Sequence, residues 1–266
     1  MNAHEIDHKI IGEEMQCVEI TLDPDEIVIA EAGSLMYMDD YIEMQTIFGD
    51  GTESEKGFFG KVLSAGKRVI TGESLFMTAY ANRGNDRKTV SFASPYPGKI
   101  IPLDLSEFNG KIVCQKDAFL CAAKGVSVGI EFQKRLGSGF FGGEGFIMQK
   151  LEGDGMAYVH AGGTIVKRSL RPGESLRVDT GCLVAFTQSV DYDIKFVGGI
   201  KNTIFGGEGL FFASLTGPGD VWIQSLPFSR LANKIIQAAP KVGGKRKGEG
   251  SILGGIGDLL DGDNRF

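Results

Sequence analysis

Ala32-Gly33-Ser34-Leu35-Met36, Asp117-Ala118-Phe119-Leu120-Cys121 and Thr180-Gly181-Cys182-Leu183-Val184 align as one motif, a small residue, any residue, then leucine. A turn residue stands at one distance ahead of each copy: Asp25, Gly110 and Gly173 lie eight positions before Gly33, Ala118 and Gly181. Self-similarity with fixed internal spacing is the mark of a repeat architecture and decides the fold before any local reading does.

Each motif leads into a segment of period-two hydrophobicity, the pattern of a half-buried strand. The third copy is the clearest, with Val190, Tyr192, Ile194 and Phe196 on one face and Asp191, Asp193 and Lys195 on the other. Val126, Val128, Ile130 and Phe132 repeat it in the second copy, and Ile42, Met44, Thr46 and Phe48 hold the matching places in the first. A second motif closes each unit: Gly72-Glu73-Ser74-Leu75-Phe76, Gly143-Glu144-Gly145-Phe146-Ile147 and Gly207-Glu208-Gly209-Leu210-Phe211. It follows the first motif by 39, 25 and 26 residues, so the first copy carries an insertion. Phe58, Phe59, Val62, Leu63 and Ala65 follow helical spacing there, with Lys67 and Arg68 at the end where a helix dipole favours cations, so a short helix is expected near 58–68.

These signals predict an all-β protein of three pseudo-threefold related repeats, each a small β-sandwich of about six short strands joined by Gly, Pro, Asn and Asp turns. The repeats are expected at 1–96, 97–161 and 162–228. A C-terminal helix from Arg230 to about Ala239, capped by Ser229 and stopped by Pro240, should follow within 229–266. Beyond it Lys241, Lys245, Arg246 and Lys247 cluster among glycines. The apolar Ile252, Leu253, Ile256, Leu259 and Leu260 are interrupted by further glycines, which reads as a linker and a docking segment for a partner.

Composition agrees with a turn-rich globular chain. Of 266 residues 39 are glycine, about double the usual share, with neither the triplet period nor the proline load of collagen. A net charge of −6 argues against affinity built on phosphate neutralisation, so specific nucleic-acid binding is not expected. Cys17, Cys114, Cys121 and Cys182 form no C-x-x-C pair and read as reduced packing residues. No apolar run reaches about 18 residues, which argues against a transmembrane helix. The Met1-Asn2-Ala3-His4-Glu5 start lacks a basic-then-apolar signal, and a cytoplasmic protein is expected.

The stretch from Phe58-Phe59 through Lys67-Arg68 to Gly72-Glu73-Ser74-Leu75-Phe76, with Phe141-Gly142-Gly143-Glu144-Gly145 and Phe205-Gly206-Gly207-Glu208-Gly209, resembles the conserved family named in yeast for altered inheritance of mitochondria. The resemblance covers about residues 10–228. It implies a fold similar to the tryptophan RNA-binding attenuation protein, with three copies of that short double-stranded β-helix sandwich fused in one chain. It also implies a mitochondrial, inner-membrane-organising role for eukaryotic members. It carries over no catalytic residue, and no motif here matches the attenuator's tryptophan or RNA sites.

Candidate chemistry is sparse. No G-x-S-x-G elbow, phosphate loop or dinucleotide fingerprint is present, and His4, His8 and His160 are the only histidines. His4 and His8 are spaced to pair on a helix, but the segment reads as a strand or a frayed terminus, and His160 reads as a structural residue. Glu73, Glu144 and Glu208 occupy equivalent places and either accept backbone hydrogen bonds in their own turns, the favoured reading, or converge on a cation. Phe58-Phe59, Phe140-Phe141 and Ile204-Phe205 precede the same turns and form either an apolar plug or an exposed interaction surface. The expectation is a non-enzymatic scaffold or interaction protein without cofactor or metal, forming homo-oligomers or binding a protein partner, with room for a peripheral membrane contact. A small-molecule-binding sandwich is the alternative, and an enzyme without a recognisable motif the third.

Overall fold

The structure is a computed structural model and describes residues 3–48, 76–134, 146–196 and 211–239. The insertion near 58–68 and the tail from 240 lie outside the described residues.

Three sets of six strands follow one another. The first is β2 (Cys17–Leu22), β3 (Ile27–Glu31), β4 (Leu35–Met38), β5 (Ile42–Phe48), β6 (Phe76–Asn82) and β7 (Lys88–Ala93), preceded by β1 (Asp7–Ile11). The second is β8 (Gly98–Asp104), β9 (Lys111–Gln115), β10 (Phe119–Ala123), β11 (Ser127–Lys134), β12 (Phe146–Glu152) and β13 (Met156–Gly162). The third is β14 (Ile165–Leu170), β15 (Ser175–Asp179), β16 (Leu183–Thr187), β17 (Asp191–Phe196), β18 (Phe211–Thr216) and β19 (Gly219–Gln224). The fold is therefore all-β and repeated, with one C-terminal helix, α1 (Phe228–Ala238).

The expected repeats do not keep their sheets to themselves. Each copy divides its strands into two trios, and the trio β5-β6-β3 of the first copy continues into β10-β13-β8 of the second. In the same way β11-β12-β9 continues into β16-β19-β14 of the third. The joints are antiparallel, Ala30 opposite Cys121 in one and Cys114 opposite Ala185 in the other. This leaves a four-stranded sheet β1-β2-β7-β4 at one end of the series and a three-stranded sheet β15-β18-β17 at the other. All of these strands fall in one compact unit, residues 1–231; the remainder, 232–266, is a second unit that takes in α1 after its first residues.

Alternation along the strands explains the stacking. Val28 and Ala30 face a core shared with the four-stranded sheet, while Ile27 and Ile29 face a core shared with the second six-stranded sheet. The second six-stranded sheet does the same, sending Ile112 and Cys114 to the middle core and Val113 to the core under the three-stranded sheet. A strand buried on both faces reads as a continuous apolar run, which is why Ile27-Val28-Ile29-Ala30 carries no polar residue.

Strand pairing also corrects the sequence alignment of the second copy. Leu35, Phe119 and Leu183 stand opposite Phe92, Val159 and Ile223, and each is followed by the same bulge. Phe119, rather than Leu120, is thus the counterpart of Leu35 and Leu183. The matching turn residue is Asn109, in the left-handed region at φ 55° like Asp25 at 68° and Gly173 at 76°. Gly110, also left-handed, had masked this one-residue shift in the sequence. Asparagine and aspartate tolerate this backbone because their short side chains bond locally, which makes them poor markers of a turn beside a glycine.

Helix α1 begins earlier than expected. Pro227 supplies the starting carbonyl to the amides of Arg230 and Leu231, so Ser229 lies inside the first turn instead of capping it.

Candidate functional site

None of the residues singled out from sequence as an interaction surface or carboxylate cluster, Phe58, Phe59, Phe140, Phe141 and Phe205 or Glu73, Glu144 and Glu208, falls among the described residues. Among the described residues, exposed large apolar side chains fall on α1 (Phe228, Ile235 and Ile236) and on strand β4.

Its counterparts β10 and β16 are buried almost throughout, because each joins the sheet of the preceding copy. The bulge residues Leu120 and Val184, followed by Cys121 and Ala185, sit in cores that the preceding copy helps to form. In the first copy these two positions are Met36 and Tyr37, which are 57% and 41% exposed, and Met38 beside them is 39% exposed. Burial of such side chains is worth about 1.5–3 kcal/mol each, so a contiguous exposed set is a marker of an interaction surface. Tyr41 in the following turn and Met44 on β5 are exposed as well, Tyr41 at 71%.

Local chemistry holds this edge in shape. The Tyr37 hydroxyl donates to the Glu19 carboxylate on the neighbouring sheet position, and that acceptor raises the phenol above its ordinary pKa. Asp39 accepts from the Thr89 amide at 2.8 Å, tying the end of β4 to β7. Tyr41 is left-handed at φ 70°, where the second copy has Gly125 at 106°. A bulky residue pays about 1–2 kcal/mol for that backbone, a cost the free monomer does not recover through burial. Lys88 lies 5.7 Å from the centre of its ring.

A second, titratable cluster lies where the first and second copies meet. Burial pushes Glu31 up to about 7, with Asp117 adding to the shift and Lys116 opposing it. Burial also pushes Tyr96 up to about 12, with Asp117 and Glu31 contributing, and the Cys114 thiol up to about 12. Tyr96 packs edge-on against His160 at 4.4 Å between ring centres. His160 is buried, neither ring nitrogen makes a hydrogen bond of normal geometry, and burial drives its pKa down to about 4. The sequence reading of His160 as a structural residue holds for its packing, and the Tyr96 backbone beside it partly opposes the fall in its pKa.

His4 has a structural task, its Nδ1 accepting from the Ile27 amide at 2.9 Å, and His8 packs edge-on to Tyr158 in β13. Among the described residues no group of three or more His, Cys, Asp or Glu is placed to hold a metal ion. No helix among them is long and apolar enough to cross a membrane. The β4 surface escaped the sequence reading because Met36-Tyr37-Met38 resembles the buried Leu-Cys-Ala and Val-Ala-Phe runs of the other copies. The one available signal was size, since only the first copy places large, flexible side chains at both between-copy positions.

Comparison with known proteins finds similarity over most of the chain. An uncharacterized protein of Streptococcus pyogenes serotype M6 is 30% identical over 227 residues, 84% of this chain and 86% of that protein. The crystal structure of a Streptococcus pyogenes protein solved by the Northeast Structural Genomics Consortium superposes with a TM-score of 0.69 at 25% identity, covering 88% of this chain and all of that one. The family described as Mitochondrial biogenesis AIM24 matches residues 8–226, and with the strand series β1 to β19 falling almost wholly inside that match, the chain belongs to this family.

Proposed function

We propose that this protein is a non-enzymatic assembly scaffold whose working surface is the β4 edge and the apolar side chains beside it. One observation carries the reading: positions that form between-copy cores twice within the chain are exposed Met36 and Tyr37 in the first copy. A soluble domain that left such a patch bare would be prone to non-specific association, so its natural use is a defined protein contact. Homo-oligomerisation is the simplest form of that contact. A role in assembly or membrane-associated organisation also suits a family described by mitochondrial biogenesis and not by a reaction.

The test is the mass of the protein in solution. Wild type should exceed the 28.6 kDa of one chain, while Met36→Lys, which replaces a side chain already exposed in the monomer, should return it to that mass with its circular dichroism unchanged. A wild type that stays monomeric at high concentration, or a Met36→Lys variant that assembles normally, would defeat the reading.

A second reading, a small-molecule site, rests on the buried His160, whose ring nitrogens lack a hydrogen bond of normal geometry, and on Tyr96 beside it, which feels the Glu31 and Asp117 charges. A thermal-shift screen with carboxylates, amino acids and nucleotides tests it, since a ligand at 100 times its Kd stabilises by about 2.7 kcal/mol.

A further inference from the structure

The partner of β4 can be read from the two joints already inside the chain, and the inference that follows rests on the assembly reading above. Among the described residues β4 hydrogen-bonds as a strand only to β7, and β15 only to β18. These are the two strands that would complete the series, because β10 and β16, the counterparts of β4, pair with β3 and β9, the counterparts of β15. We propose that β4 of one copy of this chain pairs antiparallel with β15 of a second copy, merging the four-stranded and three-stranded sheets as β3–β10 and β9–β16 merge theirs.

The internal joints fix the register. Cys121 opposite Ala30 and Ala185 opposite Cys114 place Tyr37 opposite Val178; Ala122 opposite Ile29 and Phe186 opposite Val113 place Met38 opposite Arg177. The Lys124 amide donates to the Ile27 carbonyl at 3.0 Å, extending the same joint to a position where Asp40 meets Ser175. Two consequences favour this pairing over others. Tyr37 and Met36 face the side on which Leu176 and Val178 turn toward their core, so apolar surface meets apolar surface. On the opposite face the exposed Arg177, whose counterparts in the internal joints are the apolar Ile29 and Val113, lies diagonal to Asp40 as an opposite-charge cross-strand pair. A β4–β4 pairing would instead set the Asp39-Asp40 end of one edge against unshielded backbone with no cation on either strand.

The contact is head-to-tail. Each copy then offers β4 to one neighbour and β15 to another, so the assembly is a closed ring where the rotation per copy closes and an open filament where it does not.

Chains with one accessible cysteine beside the buried Cys114 and Cys121 separate the partner from the surface. In a background with the partly exposed Cys17 and Cys182 replaced by alanine, Met38→Cys and Arg177→Cys chains are prepared separately, mixed, and oxidised. The proposal expects a disulfide-linked pair in the mixture and none in either chain alone, with Met38→Cys plus Ser175→Cys linking several-fold less because it is two residues off register. Efficient linking of Met38→Cys to itself, without linking in the mixture, would overturn β15 as the partner while leaving β4 the assembly surface. Equal linking of the 177 and 175 positions would overturn the register. A chain that stays monomeric and unlinked throughout would defeat both this pairing and the scaffold reading.

Discussion

His160 and Glu31 carry opposite titration signatures at one junction. The His160 pKa falls from its ordinary 6.5 to about 4, so between those values the unfolded chain binds a proton that the folded chain does not, and stability is lost as pH falls. Glu31 rises from 4.5 to about 7, so in that interval the folded chain holds the extra proton, and stability is lost as pH rises. The two slopes nearly cancel between pH 4.5 and 6.5. Glu31→Gln removes one of them, and the variant should lose about 2–3 kcal/mol of unfolding free energy on acidification from pH 7 to 4, beyond the change seen in wild type, by urea titration at each pH. Equal pH profiles for the two proteins would show that Glu31 is not buried as described. Tyr41 poses the same kind of question for backbone: glycine there would relieve the left-handed strain, so Tyr41→Gly should leave monomer stability unchanged or improved while weakening assembly.

At the scale of elements, the closing turn of each copy shows how one task is solved by different residues. Asn82 at the end of β6 is fully buried; its Nδ2 donates to the Leu22 and Asp86 carbonyls at 2.9 and 2.8 Å, and its Oδ1 accepts from the Gly84 amide. The second and third copies place Gly153 and Gly217 there, where the backbone alone makes the turn. Asn82→Ala strands buried carbonyls and should cost about 2–4 kcal/mol, with faster amide exchange concentrated in the β6–β7 hairpin. The bulge after Leu35, Phe119 and Leu183 is the other recurrent device. It lets two neighbouring residues face the preceding copy, which suits a strand that must finish someone else's core.

On the scale of the whole molecule, shared sheets make the three copies one cooperative body. The middle core draws on β3, β5 and β6 of the first copy, β8 to β13 of the second and Val184, Ala185 and Trp222 of the third. Damage to one copy should therefore spread. Phe186→Ala, in the core of the third copy, should lower a single calorimetric transition by the equivalent of about 3–5 kcal/mol; splitting into two transitions would mean the copies fold as independent domains. The same continuity explains why the terminal sheets are unequal to the inner ones: β10 and β16 pair with β3 and β9 of the copy before them, whereas among the described residues β4 pairs only with β7 of its own copy.

The sequence by itself determined the number of copies, their strand-and-turn order and the all-β class, because spacing and period-two alternation are local properties that survive in every copy. It also placed the C-terminal helix to within two residues at its start. It misaligned the second copy by one residue, since two adjacent left-handed residues, Asn109 and Gly110, present the same turn chemistry in either register. Only the tertiary structure decided which trio joins which, and with it the exposure of Met36 and Tyr37 and the burial of His160. Strand pairing between copies is a non-local choice set by backbone hydrogen bonds that every strand offers alike, so residues of one apolar type become core in two copies and surface in the third according to whether another strand arrives beside them.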